Sequence, residues 1–180
     1  STFTISGSGG DISVGGAQGL FVRDTRIISR FELLVNGSRT EPLAAVTDDP
    51  FSSTFVSRCL PPPGRADSTL MVFRSRYVGQ GMREDVTIRN FGDEPSLCTV
   101  EVFVGADFAD LFAVKEGRVD SQPATGETEV SVGAGTIAYS YRRGGVARGV
   151  ELRFDGPVAL DPDLATYEVI VPPRGEWTTS

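Results

Sequence analysis

Apolar and polar residues alternate along much of this chain, and Gly, Pro, Asn and Asp separate the alternating runs. Alternation with a period of two predicts β-strands with one buried face, and the separating residues predict turns. In residues 27–35, Arg30 and Glu32 lie on a polar face. The apolar face of the same run carries Ile27, Phe31, Leu33 and Val35. The Asn-Gly pair that follows predicts a two-residue hairpin turn.

A second hairpin is predicted where residues 69–78 and 82–91 flank the sequence GQG. Centring the turn on this sequence places the following pairs opposite each other: Val78 and Met82, Arg76 and Glu84, Val72 and Ile88. The register is self-consistent, since it pairs opposite charges near the turn and aliphatic side chains away from it. We expect residues 96–104 to add the third strand of a meander.

The second half of the chain shows the same alternation. The sequence RGG joins residues 136–142 to 146–154 in a predicted hairpin, and residues 165–171 form a last strand ended by two prolines. Residues 106–114 are the one helix candidate, because Phe108, Leu111 and Phe112 have i, i+3, i+4 spacing. We interpret residues 115–135 as a loop containing a short strand.

We therefore predict an all-β fold, an antiparallel β-sandwich of two large curved sheets similar to a supersandwich. It has about ten to twelve strands and at most one or two short helical turns. Residues 1–180 suffice for a single domain with its own core. Since the sequence begins with Ser rather than Met, we expect this domain to be a fragment of a longer protein.

Composition excludes several kinds of function. The net charge is −7 with no basic stripe, so we expect no nucleic-acid partner. No apolar run approaches the length of a membrane span, so we expect no membrane partner. The chain has no histidine, which removes Ser-His-Asp triads, Cys-His pairs and His-based metal sites. We predict no cofactor and no metal.

Cys59 and Cys98 are the two cysteines of the chain. Cys98 lies within an alternating apolar segment and is typical of a small core residue. We predict two buried thiols in a reducing compartment, and hence a cytoplasmic protein. A disulfide remains the alternative, because pairing cannot be read from sequence.

Asp107 and Asp110 are the first candidate for chemistry. A glycosidase needs two carboxylates about 5–5.5 Å or 6.5–9.5 Å apart, and an i, i+3 pair on one helical turn approaches that range. The structural alternative has one aspartate capping the turn while the other is solvated or paired with an arginine. Glu84 and Asp85 are excluded as a pair, since neighbours on a strand point to opposite faces.

Arg23, Asp24 and Arg26 are the second candidate, because three charges in four positions begin a strand that should be buried. They could brace a strand end through an Asp–Arg network, contact a neighbouring domain, or bind a sugar. The Gly-rich residues 6–16 lack the Lys and the helix that a phosphate-binding loop requires. With Trp177 as the single tryptophan, few flat aromatics remain for carbohydrate binding.

Three blocks of sequence carry a family resemblance. They are GLFVRDTRIISRFELLVNG (19–37), FRSRYVGQGMREDVTIRNF (73–91) and VEVFVGADFADLFAVKEG (100–117). In this order and spacing they resemble the N-terminal domain of bacterial glycogen-debranching-like proteins, the amylo-α-1,6-glucosidase group. The resemblance implies a non-catalytic β-sandwich domain preceding an α/α-toroid glycosidase domain, which holds the catalytic carboxylates. No catalytic residue is carried over to this chain.

Three hypotheses follow. The leading one is a non-catalytic accessory domain of a glycoside hydrolase of carbohydrate metabolism. It would pack on and support a C-terminal catalytic domain of the same polypeptide, with α-glucan as a candidate further partner. The second is an autonomous carbohydrate-binding module. The third is a stand-alone glycosidase that uses Asp107 and Asp110.

Overall fold

Strands make up 59% of the protein and helix 3%, which confirms the all-β class. The computed structural model describes residues 1–120 and 125–180. These residues form one short helix, α1 (Leu111–Lys115), and sixteen strands. In chain order the strands are β1 (Thr2–Ile5), β2 (Gly19–Val22), β3 (Thr25–Ile28), β4 (Arg30–Val35), β5 (Ser38–Arg39), β6 (Glu41–Asp49), β7 (Ser52–Arg58), β8 (Leu70–Val78), β9 (Met82–Asn90), β10 (Ser96–Gly105), β11 (Glu127–Gly133), β12 (Thr136–Arg143), β13 (Val146–Arg153), β14 (Ala159–Asp161), β15 (Leu164–Val171) and β16 (Glu176–Thr179).

These strands form four small sheets rather than two large ones. Their strand orders are β1-β2-β3, β14-β15-β10-β4-β5, β11-β12-β13 and β16-β9-β8-β7-β6. The sheets stand in a ring, like the blades of a four-bladed β-propeller. The predicted sandwich of two large curved sheets is therefore wrong.

The reason lies at points where an alternating run changes sheets. Residues 27–35 look continuous in sequence, but β3 pairs with β2 while β4 pairs with β10. The break falls at Ser29, whose backbone N–H donates to the carbonyl of Gly105 at 2.9 Å. Alternation reports which face of a strand is buried but not which strand lies beside it. The number of sheets therefore cannot be predicted from the alternation of apolar and polar residues.

The predicted meander is correct for two strands and wrong for the third. β8 and β9 pair in the predicted register, with Arg76 opposite Glu84 and Val72 opposite Ile88. β10 instead joins β4 and β15 in another sheet. β16 pairs with the edge of β9 at which β10 was predicted, and Trp177 lies opposite Ile88. Residues 165–171 are consequently not the last strand.

Two predicted tight turns are confirmed. Asn36 and Gly37 join β4 to β5 with φ of 52° and 75°, the left-handed conformation that such a hairpin requires. Gly144 and Gly145 join β12 to β13, and Gly144 has φ of 56°. The positions of these turns could therefore be predicted from the sequence, although the arrangement of the sheets could not.

All four sheets contribute to one hydrophobic core. Its members include a deeply buried residue from each sheet: Ile28, Ile88, Val100 and Ile137. Burying a large aliphatic side chain contributes about 1.5–3 kcal/mol. The ring is thus held together by burial shared between the sheets.

Cys59 and Cys98 both lie in this core and are not joined, as predicted. Burial, and secondarily the neighbouring Cys98, raises the pKa of the Cys59 thiol to about 12. Trp177 is half-buried and packs edge-on against Tyr167, with ring centroids 5.2 Å apart. Trp177 is therefore a packing residue.

The helix prediction is correct in existence and wrong in detail. α1 begins after Asp110, so Phe108 precedes the helix, with φ of 51°, and cannot share its face. Phe108 is buried against Tyr141, whereas Phe112 is 60% exposed. In the predicted loop, β11 is the short strand, and residues 121–124 lie outside the described residues.

Candidate functional site

Arg23 and Asp24 form the two-residue turn between β2 and β3. Arg23 has φ of 55°, and both side chains are exposed. The turn is tied to the helix, since the backbone N–H of Leu111 donates to the Asp24 carbonyl at 2.9 Å. In the part of the chain that the structure describes, neither Arg23 nor Asp24 forms an ion pair.

Arg26 behaves differently, because it is buried and fully hydrogen-bonded. Its side chain pairs with Asp107, with Nε donating to Oδ2 at 3.0 Å. Nη1 donates to the carbonyls of Gly16 and Gln18 at 2.9 and 3.2 Å. A Cβ at Gly19 would lie 2.5 Å from Arg26 Cδ, so glycine is needed where β2 passes this side chain. Arg26 braces three chain segments.

The five predicted site residues therefore separate into groups. Arg26 and Asp107 are brought together, although they lie 81 positions apart in the sequence. Arg23 and Asp24 point to solvent beside α1. Asp110 lies close to both groups, because its backbone forms an isolated β-bridge with Thr25, the residue between Asp24 and Arg26.

Both aspartates of the candidate catalytic pair have structural partners. Asp107 accepts from Arg26 and from the backbone N–H of Ala109 at 3.2 Å. Asp110 is the N-cap of α1, and its Oδ1 accepts from the N–H of Phe112 at 2.9 Å. An N-cap of this kind stabilises a helix by about 1 kcal/mol. Asp107 lies before the helix, so the two do not share a helical turn.

A largely buried ionic network joins β8 and β9 to Asp11, and it was only partly predicted. Glu84 accepts from Arg74 Nε and Arg76 Nε, each at 2.6 Å, and Arg74 Nη1 donates to Asp11 at 2.6 Å. The pair of Arg76 with Glu84 was predicted, but Arg74 and Asp11 were missed. The alternation along β8 could have indicated their burial, since Arg74 and Arg76 lie on the same strand face as the buried Leu70 and Val72.

Burial alone would raise the pKa of Glu84, but the guanidiniums of Arg74 and Arg76 outweigh it and hold the pKa below its usual value. Burial lowers the pKa of Arg76 despite its contact with Glu84. A general acid in a glycosidase needs the opposite shift, a raised carboxyl pKa. Glu84 is therefore a structural anion.

An apolar cavity of about 680 Å³ opens beside Glu84, walled in part by β13. Two further carboxylates line it, and both are engaged. Glu151 accepts from Arg153 at 2.6 Å, and Asp155 accepts from the hydroxyl of Ser180 at 2.6 Å. This cavity holds no unengaged carboxylate pair among the described residues.

Metal-binding geometry is not found in residues 1–120 and 125–180, where no group of three or more His, Cys, Asp or Glu could hold an ion. Within the same residues, no helix is long and apolar enough to cross a bilayer.

A family model for the N-terminal domain of some glycogen debranching enzymes matches residues 1–180. No curated protein matches the chain. The family match thus spans the full sequence, including the parts outside the three blocks that carry the resemblance.

Proposed function

Because this chain belongs to the family of N-terminal domains of some glycogen debranching enzymes, we propose that it is a non-catalytic domain of such an enzyme. Its role is to pack on and support a catalytic domain of the same polypeptide. The whole enzyme would remove α-1,6 branches from glucan, as an amylo-α-1,6-glucosidase does. The chain described here supplies support and no reacting group.

The observation that carries this proposal is the engagement of the candidate carboxylates. Asp107 is held by Arg26, Asp110 caps α1, and Glu84 is neutralised by two arginines. Glycoside hydrolysis requires one carboxyl to donate a proton and a second carboxylate to act as base or nucleophile. Side chains locked in these contacts perform neither task.

The turn formed by Arg23 and Asp24, together with Phe112, is the proposed docking face for the catalytic domain. The two charges have no ionic partner in the described residues, and Phe112 exposes 60% of its surface on the adjoining helix. An exposed apolar ring flanked by unpaired charges of both signs suits an interface within one polypeptide. The Arg26–Asp107 pair ties β3 to the segment that precedes α1, next to this face in the sequence.

Activity measurements test the non-catalytic role. We expect the 180-residue chain to release no reducing sugar from pullulan, isomaltose or maltooligosaccharides, while the longer protein containing the catalytic domain does. Activity of the chain alone that disappears in Asp107→Asn or Asp110→Asn would contradict the proposal and favour a stand-alone glycosidase.

Limited proteolysis of the longer protein tests the docking face. Asp24→Asn and Phe112→Ser should speed cleavage between the two domains while changing the stability of the isolated chain by about 0.5 kcal/mol or less. Leu97→Ser is the matched control, since Leu97 is highly exposed on β10 in another sheet. If Asp24→Asn leaves cleavage unchanged but weakens glucan binding, the carbohydrate-binding module is the better hypothesis.

A further inference from the structure

Two grooves on the protein surface share part of their lining, including Phe51. One groove, of about 570 Å³, lies between the β6–β7 turn and the β8–β9 turn and is flanked by Tyr77. The other, of about 520 Å³, lies between β1 and the same β6–β7 turn. Phe51 and Ser52 line both grooves, so a single extended ligand crossing Phe51 would contact the two together.

Phe51 presents a fixed aromatic face to solvent. The residue is 69% exposed, and its backbone N–H and carbonyl are both hydrogen-bonded. The N–H of Phe51 donates to Asp49 Oδ1 at 2.7 Å, and its carbonyl accepts from the N–H of Val78 at 2.8 Å. The hydroxyl of Ser52 donates to the other oxygen of Asp49 at 2.9 Å. An exposed ring on a fixed turn is preorganised for stacking, because little entropy is lost on binding.

Tyr77 extends this aromatic surface along β8. It is 49% exposed and lies opposite Ser52 in the pairing of β7 with β8. Phe51 and Tyr77 both line the first groove, so a ligand bound there would meet two exposed aromatic side chains. The surface therefore favours a ligand that has flat apolar faces of its own.

The groove beside β1 adds polar groups of one kind. Hydroxyl side chains line it, and no carboxylate does. They are Thr2, Thr4, Ser6, Ser8, Ser52 and Ser53. Arg76 also lines this groove; it is 2% exposed, and its Nη1 is buried with no hydrogen-bond acceptor in the described residues. Hydroxyl groups both donate and accept hydrogen bonds, so this groove favours a ligand that brings hydroxyl groups and acceptor oxygens.

The charge around Arg76 decides between an anionic ligand and a neutral one. Glu84 already accepts from Arg76 Nε, and Asp11 and Glu84 together balance Arg74 and Arg76. The groove therefore offers donors and hydroxyls without a net positive charge. Neutral chains of hydroxyl-bearing rings, with apolar faces for stacking and oxygens for hydrogen bonds, match this combination.

We propose that the two grooves and Phe51 form a binding site for a linear oligosaccharide, with sugar rings stacked on Phe51 and Tyr77. The choice of an α-1,4-linked glucan as the ligand rests on the proposed function, since a debranching enzyme must hold chains of that kind. The residues that line the two grooves do not include Arg23, Asp24 or Phe112, although the groove beside β1 includes Thr2, which pairs with Val22 next to that turn.

Titration calorimetry of the 180-residue chain with maltoheptaose tests the site, with cellohexaose as the β-linked comparison. We expect maltoheptaose to bind, and Phe51→Ala and Tyr77→Ala each to weaken binding by about tenfold or more, the usual effect of removing a central aromatic contact. Phe51→Trp, which keeps a stacking surface, should retain binding. Phe91→Ala is the matched control, because Phe91 is an exposed aromatic that lines neither groove.

The outcomes separate this site from the proposed function. Absence of maltoheptaose binding, or binding that both alanine variants leave unchanged, would overturn the site while leaving the non-catalytic supporting role intact. Equal binding of cellohexaose would overturn the assignment to α-glucan. Failure of the supporting role would show instead as hydrolysis by the chain alone, which none of these titrations measures.

Discussion

At the residue scale, burial distinguishes Arg26 from the two charges beside it in sequence. Arg26 is 5% exposed and donates to a carboxylate and two carbonyls, whereas Arg23 and Asp24 lie in solvent. Removing one partner of a buried charge pair is much more costly than removing an exposed charge, because the remaining partner loses both water and its counter-ion.

Arg26→Ala should therefore destabilise the domain by about 3 kcal/mol, toward the low end for broken buried pairs because Asp107 is partly solvated. Urea denaturation would measure this change. Arg153→Ala, which removes a highly exposed arginine paired with Glu151, is the control and should cost about 0–1 kcal/mol. Similar midpoints for the two variants would show that Arg26 does not brace the fold.

Glu84 provides a pH dependence whose direction follows from its environment. Its pKa in the folded protein lies below the ordinary value of 4.5, because Arg74 and Arg76 favour the carboxylate more strongly than burial opposes it. A carboxyl with a lowered folded pKa contributes stability that is fully present above the unfolded pKa. That contribution is lost as pH falls through the folded pKa.

Urea melts at a series of pH values should show unfolding free energy falling as pH is lowered below 4.5. Glu84→Gln should be less stable at neutral pH, since buried Arg76 loses its counter-ion and buried Arg74 keeps only Asp11, and it should lose less stability on acidification. If wild type and Glu84→Gln lose the same free energy on acidification, Glu84 is not the titrating group.

At the element scale, the β4–β5 hairpin depends on its turn. Gly37 has φ of 75° in open space, so a methyl group there meets no neighbour but the backbone becomes strained. Gly37→Ala should cost about 1 kcal/mol. Gly79→Ala is the control, because Gly79 also lies in open space and does not have a positive φ. Equal thermal midpoints for the two variants would show that this turn conformation does not limit stability.

The same contrast explains how much could be predicted from the sequence. Turns and the β8–β9 register are local, so neighbouring residues determine them, and these predictions are confirmed. The choice of sheet at Ser29 and the replacement of β10 by β16 beside β9 depend on residues far away in sequence. Alternation is identical in either arrangement, so the number of sheets could not be predicted.

The same distinction between local and distant contacts applies to the candidate site. The pairing of Arg76 with Glu84 follows from the hairpin register and was predicted. Pairing of one aspartate with an arginine and capping by the other was the predicted structural alternative for Asp107 and Asp110, but Arg26, 81 positions from Asp107, was not identified as the partner. The exposure of Phe51 follows from a turn between β6 and β7, and no alternating run had predicted β6.

At the scale of the whole molecule, the shared core makes the four sheets one cooperative unit. Trp177 on β16 contacts Tyr167 on β15, which belongs to a different sheet, so its fluorescence reports on packing between sheets. Far-ultraviolet circular dichroism reports on all strands together. We expect the two thermal transitions to coincide, as two-state unfolding requires. Loss of the Trp177 signal at a lower temperature would show that the sheets unfold separately.

The position of β16 has a consequence for the order of events on the ribosome. β9 is synthesised long before β16, yet β16 covers its edge, and the N–H of Asn90 donates to the carbonyl of Gly175. Until residues 176–179 leave the exit tunnel, β9 has one row of unpaired backbone groups, which invites pairing with other chains. The domain therefore completes folding only after its own final strand has been made, and a nascent chain stalled before that strand is an aggregation hazard.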